Sequence, residues 1–355
     1  MLKKAAALLF ACASTAICIS CSSTSSDFLF AAIPGSNQIV AYRENPNSGI
    51  LTQLSGSPIT AGQAVQSIVV HPSNKFLYTA NSGEGDVSLY LISSVGVLTE
   101  VTPRTNVLGS PNLLAMDSAG SYLFVGNSAS RDISVFSINS STGALTPVGS
   151  PFPIGMIPIN MAVSPSGGVL YVTGQVDLNG VVEAFTVTNG VLTVIAGTPF
   201  ITGNNPYGLT IAPGGGFLYT ANTQDNSISI FPINADGSLG QANILGLGGQ
   251  YFAPLALQID KSGKYMYLAS QATSNLAGFS IGADGGLTLL TTSPFASGAN
   301  PSVIATDPGG KYLFVGNQKS PAVIQSFSID SGSGTLTSVA TYSVASTPTS
   351  IVIVP

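Results

Sequence analysis

The chain has 355 residues, 45% hydrophobic and only 7% charged, with a formal net charge of −5 and three cysteines. An acidic chain whose arginines are Arg43, Arg104 and Arg131 alone lacks the basic face that nucleic acid or an anionic membrane surface requires. Beyond the amino-terminal stretch no apolar run approaches the roughly 20 residues of a membrane-spanning helix; short runs such as Ser67-Ile68-Val69-Val70 are broken by Gly, Pro, Asn and Ser, which is a β pattern.

Met1-Leu2-Lys3-Lys4 is a basic start, and Ala5 to Ile19 is apolar or small throughout, the layout of a secretory signal. Cys18-Ile19-Ser20-Cys21 resembles a bacterial lipobox with Cys21 as the lipidated residue, and Ser22 to Ser26 reads as a flexible tether. Residues 1–20 are therefore expected to be a lipoprotein signal peptide, 21–26 a tether and 27–355 the folded domain. The protein is then exported and held at the cell envelope, in the outer membrane or periplasm, by lipid alone; ordinary secretion with cleavage nearby is the alternative. Cleavage before Cys21 removes Cys12 and Cys18, so no disulfide and no cysteine-based metal or nucleophile site is expected. It also removes Lys3 and Lys4, taking the formal charge from −5 to −7.

From residue 27 onward one pattern recurs. A Leu or Met between apolar or aromatic residues stands at 29, 77, 123, 170, 218, 266 and 313, so the steps are 48, 46, 47, 48, 48 and 47. A period in the forties made of short β-type runs predicts propeller blades. Each repeat reads as four strands. The first follows a proline twelve residues before the anchor (Pro111, Pro158, Pro206, Pro254, Pro301), with Val65 in that place in the second repeat, and the anchor strand is second. The third carries an aromatic: Tyr42, Tyr90, Phe136, Phe185, Phe231, Phe279 and Phe327. The fourth opens with Gly-x-Leu-Thr or a close variant, around Leu51, Leu98, Leu145, Leu192, Leu239, Leu287 and Leu336. The aromatics and leucines are expected to pack neighbouring blades together.

The two ends are complementary fragments. The domain begins at a second strand, Phe28-Leu29-Phe30, and finishes with a proline-led first strand, Pro348 to Val354. Pairing them closes the ring and removes the exposed sheet edges. The sequence therefore predicts an all-β, seven-bladed propeller of four-stranded antiparallel blades in one domain. The carboxy-terminal strand becomes the innermost strand of the first blade.

Leu77-Tyr78-Thr79-Ala80-Asn81, Leu123-Phe124-Val125-Gly126-Asn127 and Leu218-Tyr219-Thr220-Ala221-Asn222 resemble the LYVxN blades of the seven-bladed lactonase-like propeller family. Gly143-Ala144-Leu145-Thr146 is similar to the same family's GxLT element. The resemblance covers residues 27–355 and implies the propeller fold. The family includes 6-phosphogluconolactonases and a muconate-type lactonizing enzyme, and its active members are thought to use a His with Arg and acidic partners at the channel mouth.

His71 is the sole histidine; its equivalents in other repeats include Asp117, Ser164 and Asp307, which puts it in a turn between first and second strands, on the face opposite the ligand mouth. A Ser–His pair is thereby excluded. The mouth is expected to form from the loops entering first strands and those joining second to third strands. It would gather Glu84, Asp86, Arg131, Asp132, Asp177, Asp225 and Lys319 as ligand-binding candidates, with Asn81, Asn127, Asn222 and Asn317 nearby as turn residues. Arg131 and Asp132 are the candidate catalytic pair, an oxyanion partner and a base for water. No Gly-rich phosphate loop, metal-ligand cluster or cofactor motif is present, so neither metal nor cofactor is expected. Two functions stay open: an envelope propeller that binds a small neutral ligand or an envelope protein, with catalysis weak or absent, or a lactone hydrolase (a carboxylic ester hydrolase). The chain reads as a monomer.

Overall fold

Among the described residues every strand pairs antiparallel within its own repeat, save at one place, and that exception closes a circle. The computed structural model describes residues 26–318 and 320–355. They form seven small sheets, each running from a first strand at the centre to a fourth at the perimeter. Blade 2 shows the plan: Val65–Val70, Phe76–Asn81, Asp86–Ile92 and Leu98–Asn106 in order. Among the described residues helix is confined to two single 3₁₀ turns, Pro34–Ser36 and Gly248–Gln250. The exception is blade 1, whose innermost strand is Ser350–Val354, paired antiparallel with Asp27–Ile33 in the register Leu29 to Ile353 and Ala31 to Ile351. The expected seven blades and ring closure are thus both present.

The perimeter departs from the four-strand plan. In blades 1, 3, 4 and 6 a two-residue strand, such as Phe152–Pro153 in blade 3, pairs with the third strand beyond a short fourth one. In blades 2 and 7 the fourth strand runs unbroken instead, as in Leu336–Ser343. In blade 5 Leu239 makes only an isolated bridge to Ile233, and the fourth strand starts at Asn243. The outer strand has one partner only, so the chain leaves and rejoins it at little cost.

The core lies between blades. Seven apolar clusters occupy the seven seams; the one between blades 2 and 3, for example, holds Tyr78, Leu89, Leu114, Leu123 and Phe136. The third-strand aromatics are all buried, from 0% exposed at Tyr90 to 5% at Tyr42. Burying each such side chain contributes about 1.5–3 kcal/mol.

One contact repeats at all seven seams. The glycine that opens the fourth-strand motif sits at positive φ, against the side chain just before the anchor of the preceding blade. Gly96 meets Phe28, Gly143 meets Phe76, Gly190 meets Tyr122, Gly237 meets Val169, Gly285 meets Phe217, Gly334 meets Tyr265, and Gly49 meets Tyr312 across the closure. A Cβ at any of these glycines would overlap that side chain. At four seams the second-strand tyrosine adds a hydrogen bond to the same turn: Tyr78, Tyr171, Tyr219 and Tyr267 donate to the carbonyls of Gly143, Gly237, Gly285 and Gly334 at 2.6–3.0 Å. Burial pushes these phenols up, which keeps them protonated donors.

Gly143 and Gly149 have nearly the same backbone, φ 74 and 68, but only Gly143 faces a neighbouring blade; Gly149 has open space around its α-carbon. Alanine at either costs about 1–2 kcal/mol for a left-handed L-residue. Gly143→Ala is expected to cost about 1–3 kcal/mol more than Gly149→Ala because it also overpacks the seam. Denaturant unfolding of the two variants gives the difference; equal losses would show that the seam tolerates the extra atom.

Candidate functional site

The first residues of the seven innermost strands converge at one end of the central channel, because each of these strands, led by proline in six blades and by Val65 in blade 2, starts there. They enclose a cavity of about 460 Å³ to which all seven blades contribute. Its outer layer carries polar Gln66, Asn112, Ser302, Gln318 and Thr349, with apolar Ile159 and Leu255 in the same place in blades 4 and 6; Asn160 lies one place deeper, and below it come apolar residues such as Ile68, Leu114, Met161 and Ile304. Tyr207 stands in the outer layer with 44% of its surface exposed. Among the described residues lining this cavity no side chain is charged.

Side chains stitch the mouth blade to blade. Thr349 Oγ1 donates to the Gln66 carbonyl at 2.8 Å, linking blades 1 and 2, and the Leu114 amide donates to Ser67 Oγ at 3.2 Å. Asn112 Nδ2 reaches the Pro158 carbonyl at 3.5 Å, and Asn160 Nδ2 donates to the Tyr207 carbonyl at 2.7 Å. Thr223 Oγ1 donates to the Pro254 carbonyl, Gln271 Nε2 to Gln318 Oε1, and Ser302 Oγ reaches the Pro348 carbonyl. The circle closes without a gap. Asn112 Oδ1 is buried with no partner, an acceptor left over at the mouth.

The charged candidates read from the sequence do not converge on this cavity; none of Glu84, Asp86, Arg131, Asp132, Asp177 and Asp225 lines it. Glu84 and Asp86 are drawn outward by Arg104, which stands on the perimeter strand of blade 2 and also holds Glu100 at 2.7 Å. The Glu100 hydrogen bond pushes the Arg104 guanidinium up. Asp132 accepts from Asn127 Nδ2 at 2.7 Å, while Arg131 is exposed in the neighbouring turn. Asp225 accepts from the Asn204 amide at 2.7 Å, and Asp177 is exposed at the tip of the blade 4 hairpin. Lys319 and Cys21 lie outside the described residues.

The four asparagines are structural. Asn81, Asn127, Asn222 and Asn317 are at most 1% exposed. Asn81, Asn127 and Asn222 donate through Nδ2 to Ser88, Ser134 and Ser229 of the third strand at 2.8–2.9 Å, and Asn317 donates to Gln325 at 3.3 Å.

His71 is remote from the mouth, as expected, but it is not at the surface: it is 6% exposed. Its Nδ1 accepts from the Ser73 amide at 3.0 Å, so Nε2 carries the hydrogen and donates to the Gly120 carbonyl of blade 3 at 3.0 Å. The ring fastens two turns together because Gly120, at φ 70, leaves room for it.

The mouth residues that form the cavity were missed as candidates, although their signal was present. Asn112, Tyr207, Ser302 and Thr349 each follow the proline that opens a first strand. Glu183 was missed as well. It takes the third-strand place that is serine in blades 2, 3 and 5, and the anchor-plus-four residue of its blade is Gly174 rather than asparagine. With no asparagine to donate to it, burial pushes the Glu183 carboxyl up to about 7 from an ordinary value of 4.5.

A carboxyl raised in this way binds its proton more tightly in the folded state. Its contribution to stability is full below about pH 4.5 and is lost as the pH rises through about 7. The melting-temperature advantage of Glu183→Gln over the parent is expected to widen from pH 5 to pH 8 and to be small at pH 4. A gap that stays flat with pH would mean that Glu183 titrates normally.

Comparison with known proteins points one way. The family model described as "Lactonase, 7-bladed beta-propeller" matches residues 36–158, 155–250 and 253–353. A 6-phosphogluconolactonase of Formosa agariphila is 27% identical over 179 residues, 48% of this chain and 51% of that protein. One from Erwinia tasmaniensis is 33% identical over 121 residues, 34% of this chain and 32% of that protein. The matched stretches thus span about half or less of these relatives. A Bacteroides fragilis crystal structure, provisionally labelled a 6-phosphogluconolactonase, superposes with a TM-score of 0.82 at 21% identity over 94% of this chain and 99% of that one. The periplasmic gluconolactonase PpgL of Pseudomonas aeruginosa gives 0.75 at 19% identity, over 93% and 99%. At such identities the two structures establish the fold.

Proposed function

The chain belongs to the seven-bladed β-propeller lactonase family, and on that premise we propose that it binds a small neutral hydroxylated molecule, a lactone or sugar, at the channel mouth, with hydrolysis weak or absent. The observation that carries this reading is the uncharged lining of the channel cavity among the described residues, with amide and hydroxyl side chains above an apolar floor. Tyr207 offers an exposed ring on which an apolar sugar face can stack, and the Asn112 amide, whose Oδ1 is buried without a partner, would turn outward to accept from a ligand hydroxyl. A phosphorylated substrate fits this lining less well, since a phosphate dianion asks for Lys or Arg side chains or aligned amides. The basic start, apolar run and lipobox-like Cys18–Cys21 support export and an envelope position held by lipid on Cys21.

A second reading, lactone hydrolysis, is favoured by the relatives described as 6-phosphogluconolactonases. It needs a base for water and a partner for the developing oxyanion, and Asp132 with Arg131 would have to supply them from outside the cavity.

Calorimetric titration with glucono-δ-lactone separates the two readings when paired with a hydrolysis assay against the spontaneous rate. The expected outcome is saturable binding that Tyr207→Ala and Asn112→Ala each weaken about 10-fold, the loss of one contact of about 1.4 kcal/mol. Hydrolysis of the phosphorylated lactone is expected to stay near background. Turnover between about 1 and 1,000 s⁻¹ that is lost on Arg131→Ala would establish the hydrolase instead.

A further inference from the structure

Three carboxylates meet at the seam where the ring closes. Asp27 opens the second strand of blade 1, Glu44 ends its third strand, and Asp307 sits in the turn after the first strand of blade 7. One carboxylate oxygen from each lies within 4.8 Å of the others. They are 6%, 0% and 2% exposed. Asp27 and Glu44 are direct partners across the hairpin.

Asp307 is explained by its turn. Its Oδ1 accepts from the Tyr312 and Lys311 amides at 2.6 and 2.7 Å, and its Oδ2 from the Gly309 amide at 3.0 Å. Asp117 and Asp260 hold the Tyr122 and Tyr265 amides in the same way. Glu44 has no such explanation. Both of its oxygens are buried without a hydrogen-bond partner among the described residues. Its register place, opposite the first leucine of the fourth strand, is apolar in the other six blades: Ile92, Ile138, Val187, Ile233, Ile281 and Ile329. A carboxylate therefore replaces an aliphatic side chain at one seam alone, and that seam already holds two other acids.

Among the described residues no cation forms an ion pair with the group. Lys261 stands nearby and its Nζ donates to the Pro308 carbonyl at 2.6 Å, but the ion pairs among the described residues all belong to Arg104. Arg43 precedes Glu44 on the strand and is exposed, on the opposite side of the pleat. The Tyr312 ring is also close, and burial, with the charges of Glu44 and Asp307 second, pushes its phenol up.

We propose that Asp27, Glu44 and Asp307 form a binding site for a hard divalent cation of the calcium class, which locks the first and last repeats together. Three acidic oxygen donors suit such an ion, and oxygens 2.3–2.6 Å from Ca²⁺ span up to about 5 Å across it. The ion completes its shell with water from a cavity of about 510 Å³ that Asp307 and Lys261 line. The site is separate from the channel mouth and does not depend on what binds there.

Full-length protein stripped with EDTA and titrated with CaCl₂ at pH 7.5 tests this, with melting followed in calcium and in EDTA. One saturable site is expected, with a melting temperature about 3–5 °C higher at a hundredfold excess of calcium over its dissociation constant. Glu44→Ile, which installs the residue of the other blades, is expected to fold and to lose both effects, as is the isosteric Glu44→Gln. If Glu44→Ile does not fold, Asp27→Asn serves with Glu44→Gln. No saturable calcium binding by the parent protein, or binding undiminished in Glu44→Gln, would overturn the proposal; the first outcome would leave a shared proton as what holds the three acids together.

Discussion

The structure depends on a glycine pressed against a neighbour's side chain. A propeller blade is a small sheet, apolar on both faces, that cannot bury either face alone. Stability comes from stacking blade on blade, and the stacking distance is set where backbone meets ring. At all seven seams a fourth-strand glycine at positive φ supplies the backbone, and the residue before the anchor of the preceding blade supplies the side chain. A left-handed turn without a Cβ lets the two approach closely enough for the third-strand aromatics to fill the rest of the seam. The tyrosine hydroxyls satisfy the turn carbonyls that this approach removes from water.

That constraint orders the polar groups as well. A four-stranded blade has two ends, and both lie at loops. At the mouth, amide and hydroxyl side chains spend their donors on the next blade's carbonyls, so the rim, uncharged among the described residues, is tied around its circumference. The charges stand farther out, where water reaches them. The Arg104 cluster on blade 2 is partly exposed and stabilises the fold little. At the opposite end the first turns hold their own shape, through aspartate in three blades and through His71 in blade 2, whose ring also spans to the next blade.

The closure seam obeys the same packing rule but not the same polar rule. Gly49 meets Tyr312 there as its counterparts do elsewhere, and the strand from the carboxy terminus completes blade 1 in register. Beside this contact Glu44 interrupts the aliphatic series and faces Asp27 and Asp307. A buried acid is costly unless a proton or a cation accompanies it. The one seam that joins the two ends of the chain is thus also the one that carries this group.

Period, strand order, blade number and closure were legible in the sequence, because each is a local pattern repeated: an anchor near every 47th residue, a proline before the first strand, a Gly-x-Leu-Thr at the fourth. Repetition averages out local ambiguity, and the complementary ends left one way to close the ring. The packing roles of the aromatics and asparagines followed from the same repetition. The site did not, because it is built from differences between repeats rather than from their likeness. Sequence placed the loop charges at the mouth, but only the tertiary structure decides radial position, and it sends Glu84 and Asp86 outward to Arg104 while Gln66, Asn112 and Tyr207 face the channel. The Asp27–Glu44–Asp307 group was invisible for a further reason: its members come from opposite ends of the chain, and only the closing of the ring brings them together.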